Sequence, residues 1–118
     1  MSNREEVVIA WTTIPTEMDG RKFARELLDG RLASCVSVFQ RMQSTFRWNG
    51  KVVAIEEHAV MIKTTRRRVS SLESRILELH TYDVPEFVVT RISDGHVPYL
   101  EWVRGQTSEP GELDDSHD

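Results

Sequence analysis

Between Val36 and Lys63 the chain alternates apolar and polar side chains on either side of Asn49-Gly50, and this pattern constrains the fold more than any other. Val36, Val38, Met42, Phe46 and Trp48 take even positions, while Ser37, Arg41, Gln43, Thr45 and Arg47 take odd ones. A period of two is that of a strand, whose successive side chains point to opposite faces. Asn-Gly supplies the positive φ angles of a tight primed turn, so the segment is expected to form one long β-hairpin. From Val36 to Trp48 it spans roughly 43 Å at ~3.3 Å per residue, against roughly 20 Å for the flanking helical patterns. The tip must overhang its own domain, and it carries Phe46 and Trp48. Large rings have little reason to stand in water, and open strand edges invite pairing. A partner subunit is the economical cover; a bent hairpin capped by its own chain is the alternative.

The 118 residues suffice for one domain with a real core. No apolar run approaches the ~20 residues of a membrane span, and the start leads directly into Val7-Val8-Ile9 with no secretory signal, so a cytoplasmic protein is expected. The single cysteine, Cys35, excludes an internal disulfide framework and any Cys-x-x-Cys motif. Its place beside Val36 suggests a buried, inert thiol. The net charge of -4 is concentrated at one end, because Glu109, Glu112, Asp114, Asp115 and Asp118 lie in a stretch without Lys or Arg. Setting those five aside, 15 basic residues face 14 acidic ones, a body near +1. Residues 105–118 are therefore expected to be a disordered acidic tail on a domain of residues 1–104. Arg66-Arg67-Arg68 is the sole basic cluster and lacks interleaved aromatics, which argues against nucleic acid and for a solvated first turn of a helix.

Glu6 to Thr13 reads as a strand, and Thr16 with Asp19 resembles a capping box ahead of Phe23, Ala24, Leu27 and Leu28 at helical spacing, with Gly30 as the stop. Val69, Leu72, Ile76, Leu77 and His80 predict a second amphipathic helix. Phe87 to Ile92 is the last strand, and Tyr99, Leu100, Trp102 and Val103 suit a short C-terminal helix. The order β-α-β-β-α-β gives an α+β class, the ferredoxin-like sandwich of a four-stranded antiparallel sheet with two helices on one face.

Five segments in this order resemble the CutA family of divalent-cation tolerance proteins: Arg31-Leu32-Ala33-Ser34-Cys35-Val36, Phe46-Arg47-Trp48-Asn49-Gly50-Lys51, Ile62-Lys63-Thr64-Thr65, the run from Leu79 to Glu86, and Tyr99-Leu100-Glu101-Trp102. The resemblance implies a ferredoxin-like protomer in a compact homotrimer, a role in tolerance of copper and other divalent metals, and, by its architectural likeness to PII signalling proteins, small-ligand clefts between subunits. Animal members of the family are associated with acetylcholinesterase anchoring. The family's metal binding is linked to a cysteine at the end of the first strand and to His and Glu near the His-x-Tyr and Pro-Glu motifs. Here Thr12 stands at the cysteine's place, Leu79 rather than a histidine precedes His80, and Thr81 replaces the usual proline, which argues against a thiolate copper site.

What remains for copper(II) or another divalent ion is His80 with Glu86 across the Pro85 turn, two ligands and hence a weak site. The alternative is that His80 bonds a free carbonyl at a helix end and Glu86 bonds backbone or Lys63. On the return strand Glu56 and His58 share a face that Glu57 does not, a pair expected in surface or interface ion pairs. Lys63, Tyr82, Trp48 and Trp102, with Cys35 and Phe46, are assigned to a ligand cleft or trimer interface, an aromatic wall with one cation suited to a small anion. No enzyme is expected. A Gly-rich phosphate loop, a Ser-centred elbow and His-Glu-x-x-His are all missing, and the loop after the first strand, Thr-Ile-Pro-Thr-Glu, lacks the arginine and asparagine of acylphosphatase, which shares the fold class. The expected function is that of a homotrimeric divalent-cation tolerance protein; the alternative is a PII-like ligand sensor or scaffold.

Overall fold

The computed structural model describes residues 3–109. Strands β1 (Val7–Pro15), β2 (Cys35–Trp48), β3 (Lys51–Thr65) and β4 (Val88–Arg91) form one sheet in the order β2-β3-β1-β4, every neighbouring pair antiparallel. Helices α1 (Gly20–Asp29) and α2 (Val69–Leu79) follow β1 and β3, and α3 (Val97–Gln106) closes the described chain. This is the expected ferredoxin-like sandwich. No described helix is long and apolar enough to cross a membrane.

The core lies between the sheet and α1 and α2. Ala10, Ile14, Val60 and Ile62, at even positions of β1 and β3, meet Phe23 and Leu27 of α1 and Leu72 and Ile76 of α2. Helix α3 packs on the opposite face, where Thr107 bonds Thr65 hydroxyl to hydroxyl at 3.2 Å and Lys63 lies 5.8 Å from the Tyr99 ring centre.

Several local expectations are corrected. Asp19, not Thr16, caps α1, its Oδ1 accepting from the Arg21 and Lys22 amides at 3.0 and 3.2 Å. Gly30 stays right-handed and Arg31 takes the left-handed conformation at φ 57°. The Leu32 amide then reaches the Leu27 carbonyl and the Arg31 amide the Leu28 carbonyl, both at 3.0 Å, a Schellman closure built without glycine. Leu77 is exposed rather than core. Arg68 is buried rather than solvated, and its Nε donates to the Thr107 carbonyl at 2.5 Å. That bond ties down Gly105 to Ser108, which belong to the folded body: α3 runs to Gln106 and Thr107 is buried. The rest of the expected tail, residues 110–118, lies outside the described residues.

The hairpin turns at Asn49 and Gly50 with φ 52° and 78°, the primed geometry the dipeptide demands. Pairing of β1 with β3 ends at Pro15 and Glu57, so Lys51–Glu56 and the β2 residues opposite form a two-stranded overhang, about 20 Å long at ~3.3 Å per residue. One feature of β2 departs from the even alternation. Val38 pairs with Val60 and Arg41 with His58, so Phe39 and Gln40 oppose Ala59 alone, a β-bulge. His58 Nδ1 donates to the Phe39 carbonyl at 2.8 Å, satisfying a group that the interrupted ladder leaves over. The extra residue exchanges the faces. Val36 and Val38 lie on the helix side with Ile62 and Val60, whereas Met42, Phe46 and Trp48 lie on the other side with Glu57, Val53 and Lys51.

Candidate functional site

On the face away from α1 and α2, the overhang presents Phe46, Trp48, Val53 and Ile55 in one apolar row. Phe46 is 39% and Trp48 49% exposed, far from the helices that bury the other end of the same hairpin. The chain leaving α2 crosses over the sheet end, and Tyr82, Asp83 and Val84 come to line a groove of about 340 Å³ with those four side chains. A second hollow of about 460 Å³ continues toward Trp11, Met42 and Glu86.

The turn is fixed by His80. Its Nδ1 accepts from the Tyr82 amide at 3.1 Å and its Nε2–H donates to the Thr13 carbonyl at 2.5 Å, which assigns the neutral Nε2 tautomer and holds the turn to the end of β1. The ring stacks obliquely on Tyr82, centroids 4.6 Å apart. Both ring nitrogens are thus engaged, and the carbonyl bonded is that of β1 rather than one at the end of α2. Glu86 is exposed on the rim of the second hollow, whereas Lys63 lies beside Tyr99 of α3. Among the described residues no three His, Cys, Asp or Glu side chains stand together as a metal cluster.

The residue that sequence reasoning passed over is Glu57. It lies on the apolar face and is only 6% exposed, with the Tyr82 hydroxyl donating to its Oε1 at 3.1 Å. Burial first, and then the Glu57 hydrogen bond and charge, push the Tyr82 phenol up to about 12. The available signal was an acid within the alternating row Val53, Ile55, Ala59 and Met61. Glu56 and His58 do share the other face, where Glu56 pairs with Arg41 at 3.3 Å.

The six residues assigned to a cleft or interface separate into two groups within one chain. Phe46, Trp48 and Tyr82 form the groove. Cys35 and Lys63 are register partners at the far end of the hairpin, beside α3, where Trp102 rests against Tyr99 with centroids 5.7 Å apart. Twelve residues of β3 separate Lys63 from Lys51, the partner of Trp48, a distance of ~40 Å at ~3.3 Å per residue. Cys35 is half-buried rather than enclosed, its Sγ 3.9 Å from the Ser37 hydroxyl.

The family model described as "CutA1 divalent ion tolerance protein" matches residues 8–106. The chain is 40% identical over 103 residues to the "Divalent-cation tolerance protein CutA" of Thermus thermophilus, covering 87% of this chain and 98% of that one. It is 35% identical over 101 residues to "Protein CutA" of Homo sapiens, covering 86% of this chain but 57% of the human protein. It thus spans almost all of the bacterial relative and little more than half of the human one. Among solved structures, the Thermus thermophilus protein superposes with a TM-score of 0.83 at 36% identity over 86% of this chain and 99% of its own. The "PII-like protein CutA" of Nostoc superposes with a TM-score of 0.79 at 33% identity, covering 86% and 97%. With the fold, the long hairpin and the match across nearly the whole described chain in agreement, the chain belongs to the CutA1 divalent ion tolerance protein family.

Proposed function

We propose that the protein works in the cytoplasm as a homotrimer in divalent-cation tolerance, assembled through the overhanging hairpin and the apolar sheet face. The observation that carries this reading is the overhang itself. A two-stranded ribbon is marginal in water, and this one exposes Phe46 and Trp48 on one side and the long unpaired edge of β2 along its length. Another copy of the chain covers both. The names of its relatives support the tolerance role.

Copper(II) or another divalent ion enters this reading as a weak contact at His80 and Glu86. Binding at the imidazole would displace either the Tyr82 amide or the Thr13 carbonyl, so the affinity is low and the turn must yield. Native mass spectrometry after equilibration with copper(II) and zinc(II) tests both parts. The expected result is a trimer that takes up at most about one ion per protomer, a stoichiometry set by one His-carboxylate pair each, and loses it in His80→Ala. A monomer overturns the assembly, and ion uptake unaffected by His80→Ala overturns the metal assignment.

The groove favours a second reading, that of a small-ligand sensor or scaffold. It has the size of a ligand site, is walled by Phe46, Trp48 and Tyr82, and lies at the boundary a neighbouring subunit would share. The likeness to the Nostoc protein, described as PII-like, supports it. A sensor keeps its trimer without metal and changes its spectroscopic signals on binding an organic ligand.

A further inference from the structure

The described body is neutral, with 15 basic and 15 acidic residues between 3 and 109, but the charge is unevenly placed. At the end of the sheet opposite the hairpin turn, arginines converge from separate parts of the chain. Glu6, just ahead of β1, takes Arg91 at 2.7 Å on one carboxylate oxygen and Arg66 at 3.6 Å on the other. The Glu5 carboxylate pairs with Arg67, and the Glu5 carbonyl accepts from the Arg104 Nε at 2.8 Å. Arg31 donates to the Gln106 carbonyl at 3.3 Å, and Arg68 to the Thr107 carbonyl. A carbonyl fixes a guanidinium in place without neutralising it. The network thus sets six arginines against three carboxylates, those of Glu5, Glu6 and Glu109, and this end of the molecule is positive.

The chain passes out of the described body at this same end. Arg68 holds Glu109 at 2.8 Å, and the nine residues that follow carry Glu112, Asp114, Asp115 and Asp118 with no Lys or Arg among them. Pro110-Gly111, between the anchored Glu109 and those acids, is a turn-forming dipeptide and allows the chain to reverse. Nine residues reach at most ~30 Å. Arg91 on β4 pairs with Val8 of β1, which pairs in turn with Thr64 of β3, so it lies about 10 Å from β3 at ~4.8 Å per strand spacing. Every arginine of the network is therefore within range of the acidic run, whose charge matches theirs in sign and number.

We infer that the arginine end is an anion-docking surface whose occupant is this chain's own acidic segment, residues 112–118, turned back by Pro110-Gly111. The contact shields an end that would otherwise attract polyanions of any kind. It replaces the solubility role expected of these acids from sequence, and it stands independently of the assembly, the metal contact and the groove. Single surface ion pairs are weak, so the contact depends on several acting together and on moderate salt.

A nitroxide on Ser116→Cys, in the full chain with the lone thiol removed by Cys35→Ala, tests the contact by paramagnetic broadening of amide signals. Strong broadening is expected at residues 4–6, 66–68 and 91, with none at the hairpin turn. It should fall severalfold between about 0.1 M and 1 M salt, as the screening length shrinks from ~10 Å to ~3 Å. It should also be lost when Glu112→Gln, Asp114→Asn, Asp115→Asn and Asp118→Asn are combined. Broadening that is absent from the arginine end, or that survives both high salt and the neutral segment, overturns the inference. So does broadening found only on nitroxide-free copies co-expressed with labelled ones, which would give the segment to a neighbouring copy. A label-free measurement guards against damage from Cys35→Ala: a synthetic peptide of residues 109–118 is added to the chain ending at Ser108. Saturable shifts confined to the same amides support the contact, and an unchanged spectrum overturns it.

Discussion

The two ends of one hairpin make opposite demands on their surroundings. At the base, Val36 and Val38 pair with Ile62 and Val60 inside a four-stranded sheet, and α1 and α2 cover that face. In the overhang, Phe46 and Trp48 pair with Val53 and Lys51 in a two-stranded ribbon whose apolar row faces away from those helices. The alternation is the same in both halves, yet one is buried by its own chain and the other is not. The bulge at Phe39 and Gln40 divides them, turning the second half of β2 over. The base is thus buried by its own protomer, whereas the overhang is left uncovered by it, and that contrast is the ground for proposing that the overhang joins protomers.

The sharpest way to break that comparison is to damage each end and ask which property fails. Ile62→Ala removes a fully buried side chain from the base and should cost the protomer ~2–5 kcal/mol, read from the denaturant midpoint and slope. Trp48→Ala should leave the circular dichroism of the protomer unchanged and weaken assembly by about 2 kcal/mol, the scale of an interface hot spot, read by sedimentation equilibrium. Intact assembly with lost strand content in Trp48→Ala would reverse the roles of the two ends. A smaller effect belongs to the turn. A Cβ at Gly50 meets open space, so Gly50→Ala isolates the cost of φ +78°, roughly 1 kcal/mol for a side chain in the left-handed region. It should lower the thermal midpoint slightly without altering the register.

The smallest effect is a pH dependence at the junction of the two ends. Because the Tyr82 phenol is raised to about 12 in the folded chain, the unfolded chain releases that proton first as pH climbs past the ordinary tyrosine range. The stability gained there is fully present below about pH 10 and is lost as pH rises toward 12. Midpoints measured across that window should fall more steeply for the wild type than for Tyr82→Phe. Parallel slopes would show that Tyr82 is not held by burial and Glu57.

Sequence pattern carried the fold because its signals are local and repeated. Asn49-Gly50 fixed the turn, period two marked the strands, and Leu72 and Ile76 marked the core side of α2. The bulge was hidden because Phe39-Gln40 reads as an unbroken continuation of the strand, and one added residue reverses every face beyond it. That reversal is why five even-numbered side chains of β2 looked like one row. The site was less legible for a different reason. Glu57 stood out only as an acid in an apolar row, and its partner Tyr82 is 25 residues away, beyond α2. His80 read in sequence either as a metal ligand or as a group bonding a free carbonyl, and the partners the fold gives its two nitrogens, the Thr13 carbonyl and the Tyr82 amide, lie in segments that the helical spacing does not connect to it. Lys63 and Trp48 belong to neighbouring motifs but to opposite ends of β3 and its partner strand.

Residue-resolved hydrogen exchange over the overhang tests the central claim most directly. A two-stranded ribbon standing alone opens readily, and the outward amides of β2 would be bare to solvent. Burial against another copy predicts that residues 43–55 exchange nearly as slowly as the central strand β1, with protection lost in Trp48→Ala while β1 stays protected. Rapid exchange along residues 43–55 in the wild type, with β1 protected, would mean that the overhang is free in solution and that the hairpin does not join protomers.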